Sequence, residues 1–143
     1  MQSVIEIHPW PKPVRAEISV PGSKSITNRA LVLAALRPGQ TTLRHALWSE
    51  DTQVMADCLG RLGFDVHIEQ DPSESGNRHI TVQGLNGRVP NAGTAAAPLE
   101  LFVGNAGTAA RFLAAMVCLG RGVYRLSGIE RMHQRPQGGL FKS

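Results

Sequence analysis

PGSKSITNRALVLAAL, residues 21–36, is the stretch on which the fold turns. Pro21-Gly22 halts whatever regular element precedes it. From Ser25 to Leu36 the chain is apolar almost all round, which predicts a helix buried on most sides, ended by Pro38-Gly39. Just upstream, Val14, Ala16, Ile18 and Val20 alternate with Arg15, Glu17 and Ser19, the period of a strand with one buried face over 14–20. Downstream, Thr41 to Leu47 reads as a short strand. Ser49 is an N-cap, with Glu50 and Asp51 in the first turn where negative charge suits the helix dipole. Val54, Met55, Cys58, Leu59 and Leu62 then follow at helical spacing, and Gly63 supplies a left-handed cap. Phe64, Val66 and Ile68 form one arm of a hairpin, with Ile80 and Val82 on the other and a polar loop, 71–77, between.

A second passage of the same character begins at Leu101-Phe102-Val103-Gly104-Asn105-Ala106-Gly107-Thr108-Ala109-Ala110-Arg111. An apolar strand enters a small-residue turn, an apolar helix follows over about 108–119, and a strand covers 124–127. Gly22 and Gly104, like Arg29 and Arg111, stand 82 residues apart. The pattern predicts an internal repeat that breaks off within its second copy. The looser Gly- and Ala-rich stretch 84–97 separates the copies, and its Asn91-Ala92-Gly93-Thr94-Ala95 imitates the later turn without an arginine to follow, so we read it as a loop. Mixed helices and strands in this order predict an α/β or α+β domain.

Each turn that opens a helix is a candidate anion site, because exposed N–H groups and the helix dipole attract negative charge there. At the first, Ser23, Lys24 and Ser25 add donors, and Arg29 lies one turn in, where a buried guanidinium needs a carboxylate or bound anion. At the second, Gly104 and Gly107 let a ligand approach the backbone, with Asn105 and Thr108 as caps or donors. Taken singly, both turns fit plain capped helices equally well. A third motif, Gly128-Ile129-Glu130-Arg131-Met132-His133-Gln134-Arg135-Pro136, places two arginines four apart around a turn, which suits a carboxylate or phosphate but also a solvated surface. Glu50 and Asp51 read as helix-start charges rather than acid/base catalysts. The five histidines have no metal-ligand spacing, and His67 and His79 are expected to be exposed on the hairpin.

The 143 residues are 42% hydrophobic and 18% charged, a globular composition with no apolar run of membrane-span length. Residues 1–13 lack a secretory or transit signal, so the expected location is the cytoplasm. A net charge of +4 favours anionic partners. The basic residues do not cluster and aromatics are 5%, which argues against nucleic acid and for small anions. Cys58 and Cys118 are expected to be buried, reduced packing residues.

Together, PGSKSITNRALVLAAL (21–36), LFVGNAGTAARFLAA (101–115) and GIERMHQRP (128–136) resemble the 5-enolpyruvylshikimate-3-phosphate synthases, or 3-phosphoshikimate 1-carboxyvinyltransferases, of aromatic amino-acid biosynthesis. The alternatives are a non-catalytic anion-binding fragment and the sister UDP-N-acetylglucosamine enolpyruvyl transferase, whose signature after its first lysine and whose loop cysteine do not appear. The resemblance implies an α/β (α+β) fold built from repeated strand–helix units of an enolpyruvyl transferase-like inside-out α/β barrel, truncated in the second unit. Residues 1–20 would be a strand region belonging to the other half of the molecule. Residues 21–143 would be part of the N-terminal domain, with a first repeat at about 21–85 and an incomplete second at about 101–143.

The resemblance also implies the ligands: phosphoenolpyruvate and shikimate-3-phosphate, with no metal or organic cofactor, no nucleic acid and no membrane. Lys24 would be catalytic and touch both substrates, Ser25 and Arg29 would bind shikimate-3-phosphate, and Asn105, Gly107 and Arg131 would bind phosphoenolpyruvate. Arg135 matches the motif but is expected to hold the turn before Pro136. Phe112 stands where many relatives have proline. The family's acidic catalytic residues lie later than Ser143. The 143 residues alone are therefore expected to be inactive and prone to associate, whereas the full enzyme would be monomeric.

Overall fold

The computed structural model describes residues 4–9, 11–18 and 20–139. Helix α1 (Lys24–Leu36) leads into strand β1 (Pro38–Leu47), helix α2 (Glu50–Arg61) and the strands β2 (Asp65–Gln70) and β3 (Asn77–Leu85). After a loop come β4 (Leu99–Phe102), α3 (Gly107–Val117), β5 (Tyr124–Ser127) and the short α4 (Glu130–His133). β1, β3 and β2 form an antiparallel sheet in that order, whereas β4 and β5 pair in parallel with α3 as their crossover.

Local chemistry accounts for the boundaries. α2 starts where Thr52 Oγ1 accepts the Ser49 N–H at 2.9 Å and donates to Leu47 O at 2.8 Å. It stops where Gly63 takes φ +93° and Phe64 N–H reaches back to Leu59 O at 3.0 Å, a left-handed C-terminal cap. The hairpin register sets Val66 against Val82 and Ile68 against Ile80. The three long helices pack on one another, α1 also covering β1 and β3, and α2 covering β2 and β4. Leu31, Met55, Leu59, Leu62, Ile80, Leu101 and Leu113 are wholly buried where they meet. One hydrophobic core therefore joins the two sheets and brings the starts of α1, α2 and α3 to one end.

Several expectations need correction. Residues 14–18 and 20 form no strand, and Val14, Ile18 and Val20 are exposed; Ser19 lies outside the described residues. Alternation makes a buried face only where a neighbouring strand exists, and none pairs with this segment among the described residues. α1 is buried along one side only: Ile26 and Leu33 are each 66% exposed. α1 does end at Leu36, ahead of Pro38-Gly39, but β1 begins at Pro38 itself rather than at Thr41. α3 ends at Val117, and the basic turn contains a short helix. His79 is half-buried on β3 rather than exposed.

Cys118 is exposed and only Cys58 is buried. Burial pushes the Cys58 thiol up to about 12, with Asp57 adding and Arg61 opposing. Only on the order of one Cys58 in ten thousand is then a thiolate near pH 8. Brief treatment of the folded chain with iodoacetamide should label Cys118 and spare Cys58, as read by peptide mass spectrometry, whereas urea should expose both. Equal labelling without urea would contradict this core.

Candidate functional site

Three helix starts meet at one cleft of about 450 Å³. α1 brings Lys24, α2 brings Glu50 and Asp51, and α3 brings Gly107, Thr108 and Arg111, with Asn105 on the turn before it. Arg135 and Gln137 close the cleft from the segment after α4. The helix starts differ in kind. α2 is capped and acidic, whereas neither Ser23 before α1 nor Ala106 before α3 makes a side-chain cap bond. Two helix ends thus lack a side-chain cap beside three cations, the arrangement that favours an anion.

The acids restrain the cations. Lys24 Nζ lies 3.1 Å from Asp51 Oδ2 at a half-exposed position. Such a pair adds at most about 1 kcal/mol to stability, so its consequence is orientation: the ammonium is held over the cleft. Asn105 Oδ1 and Gln137 Oε1 are buried and have no hydrogen-bond partner. Buried acceptors without donors fit a ligand or water that carries hydroxyl hydrogens.

The turn that delivers Lys24 is tightly seated. A Cβ on Gly22 would stand 2.5 Å from His45 O and 2.7 Å from Leu47 N, both backbone atoms of β1. Gly22 N–H donates to Asn77 Oδ1 at 3.0 Å, and Leu47 N–H donates to Thr27 Oγ1 at 3.2 Å. The turn is therefore fixed on β1 and β3 from both sides of Lys24.

Of the residues proposed from sequence, Lys24, Asn105 and Gly107 come together in the cleft. Ser25 is half-buried in the first turn of α1 and does not line it. Arg29 faces a neighbouring, largely apolar groove between α1 and α3, beside Leu33 and Phe112. Both motif arginines are exposed, but Arg131 is outside the cleft, while Arg135 lies directly over Gly107, where an added Cβ would strike Nη1. Arg131 lies within α4, whereas Arg135 lies past its Gln134 cap. Met132 is the buried residue of α4, and Arg135 continues that turn, its N–H reaching Met132 O at 3.2 Å. On a continuous helix residues four apart would share a side, so the end of α4 is what lets Arg135 reach Gly107 while Arg131 stays outside the cleft.

The sequence did not single out Glu50, Asp51, Arg111 or Gln137 as ligand-facing groups, and of the two motif arginines it gave Arg135 the turn-holding role. The spacing of Arg131 and Arg135, four apart, offered no signal that separates them. The pairing of Asp51 with Lys24, two elements apart, had none. Among the described residues no group of three or more His, Cys, Asp or Glu is placed to hold a metal ion, and no helix is long and apolar enough to cross a membrane.

Residues 9–143 match the family described as EPSP synthase (3-phosphoshikimate 1-carboxyvinyltransferase). The chain is 47% identical over 129 residues to a 3-phosphoshikimate 1-carboxyvinyltransferase of Nostoc sp., covering 90% of this chain and 28% of that protein. It is 46% identical over 142 residues to one of Opitutus terrae, covering 99% and 31%. EPSP synthase from Acinetobacter baumannii superposes with a TM-score of 0.70 at 26% identity, over 87% of this chain and 26% of that one. The fold is that of the enolpyruvyl transferases, with mixed helices and strands. The chain belongs to the EPSP synthase (3-phosphoshikimate 1-carboxyvinyltransferase) family. It spans roughly three-tenths of the length of these curated relatives.

Proposed function

We propose that this chain supplies one wall of a site at which the carboxyvinyl group of phosphoenolpyruvate passes to the 5-hydroxyl of shikimate-3-phosphate with release of phosphate. The observation that carries the proposal is the cleft itself: two helix ends without side-chain caps, Lys24, Arg111 and Arg135 around a bare Gly107. The names of the curated relatives support the reaction. In that reaction the hydroxyl oxygen adds to the enol carbon as the methylene takes a proton, and phosphate then leaves the tetrahedral intermediate. Negative charge is present throughout, so fixed donors and cations are what such a wall can contribute.

In this reading Lys24, oriented by Asp51, is the catalytic group of this wall and reaches both substrates. Asn105 and Gly107 lie against phosphoenolpyruvate. The anion-binding arginine is Arg135 rather than Arg131, because Arg135 is the one over Gly107. Contacts of Ser25 and Arg29 with shikimate-3-phosphate rest on the resemblance alone. Residues 21–85 and 101–143 are read as copies of one strand–helix unit, α1–β1 corresponding to α3–β5.

Calorimetric titration tests the reading. The chain should bind both phosphoenolpyruvate and shikimate-3-phosphate. Gly107→Ala should weaken phosphoenolpyruvate roughly tenfold, because the methyl displaces the Arg135 guanidinium and forfeits a charge-assisted hydrogen bond. The clash is with the far end of a flexible side chain, so the melting temperature should scarcely move. No heat of binding with either anion at millimolar concentration would sink the proposal.

A further inference from the structure

β1 carries one residue more than its partner requires. Leu43 faces Ile80 and Ala46 faces Arg78, so three steps on β1 match two on β3. Within this bulge His45 adopts φ +53°, a left-handed conformation uncommon for any residue but glycine, although asparagine, aspartate and histidine take it more often than the rest. Its side chain explains how it is held. His45 Nδ1 lies 2.6 Å from Oδ2 of Asp71, whose side chain is wholly buried. Asp71 Oδ1 accepts Ser73 N–H at 2.9 Å and Ser73 Oγ–H at 2.6 Å, and these bonds, with a smaller share from His45, hold the carboxyl well below the usual carboxylate range. An ionised carboxylate only accepts, so Nδ1 carries the hydrogen. His79 stands edge-on to the His45 ring, with centroids 5.4 Å apart.

The bulge is also the seat of the Lys24 turn. Its His45 carbonyl and Leu47 N–H are the backbone atoms against Gly22, and Leu47 N–H also binds Thr27. We propose that His45 is a positioning residue for Lys24: tied to Asp71, it fixes the bulge on which the Gly22–Thr27 turn rests, and so sets where the ammonium enters the cleft. The inference rests on the anion-site reading above. An ordinary packing role does not fit, because the His45 side chain is 61% exposed and contributes nothing to the core.

The test compares His45→Val, which disfavours the left-handed backbone and loses the Asp71 bond, with His45→Asn, which tolerates that backbone and keeps a donor. Backbone amide resonances of Gly22 to Thr27 in the ligand-free chain report the turn, and calorimetry reports phosphoenolpyruvate affinity. His45→Val should shift those resonances and weaken binding about tenfold or more, and His45→Asn should restore both to near wild type. Should His45→Val fail to fold, Asp71→Asn, which leaves the His45 backbone untouched, should shift the same resonances in the same sense. The proposal is overturned if those resonances stay in place in His45→Val or, where it does not fold, in Asp71→Asn. It is equally overturned if His45→Asn is as damaging as His45→Val. A wild-type chain that binds no phosphoenolpyruvate would defeat the anion-site reading, while the resonances would still decide whether His45 sets the turn.

Discussion

Replacing Arg135 by alanine should weaken phosphoenolpyruvate binding roughly 10- to 150-fold, the range for losing a hydrogen bond to a charged group worth about 1.5–3 kcal/mol. Arg131→Ala should leave affinity within about twofold, since a side chain outside the cleft has no ligand to lose. The pair is decisive because both residues lie in one short motif and carry the same charge. General attraction of anions by a basic chain would make the two variants alike. Calorimetry at two salt concentrations separates these outcomes, because long-range attraction is screened whereas a direct bidentate contact persists. If Arg131→Ala abolished binding and Arg135→Ala did not, the placing of the anion beneath Arg135 would be wrong.

Gly22→Ala should be the most damaging single methyl in the chain's first turn. A Cβ there meets the His45 carbonyl and the Leu47 N–H, and neither can swing away as a side chain can. Forced overpacking of this kind costs about 1–3 kcal/mol. In a chain of this size that lowers the melting temperature by about 3 °C or more for each kcal/mol. The control is Gly138→Ala, where an added Cβ meets nothing within 4 Å, and the expected change is within about 0.5 kcal/mol. Equal melting temperatures for the two variants would show that the Lys24 turn is not seated on β1 as described.

What could be read in advance was what local pattern encodes. The Ser49 start, the Gly63 stop and the apolar spacing between them specify α2 without reference to the rest of the molecule. The hairpin of β2 and β3 and the strand Tyr124–Ser127 follow from alternation and turn residues. The failures share a different cause. Alternation over 14–20 states a preference for a sheet, but a strand needs a neighbour. Cys118 and Leu33 look like core residues until one knows which side of each helix is covered. The cleft was half legible: helix-opening turns announced Lys24, Asn105 and Gly107, while Asp51 and Arg135 depend on how separate elements are brought together. The bulge at His45 was hidden for the same reason, since its geometry is set by Asp71 on another strand's exit.

A map of backbone amide shifts during titration of the isotopically labelled chain with phosphoenolpyruvate tests the central claim most directly. Saturable shifts are predicted at the starts of α1 and α3, Gly22 to Ser25 and Gly104 to Arg111, and at Arg135, with Asp51 responding as Lys24 is drawn to the ligand. Shifts spread evenly over the basic surface and removed by moderate salt, or none at the two helix starts, would contradict it.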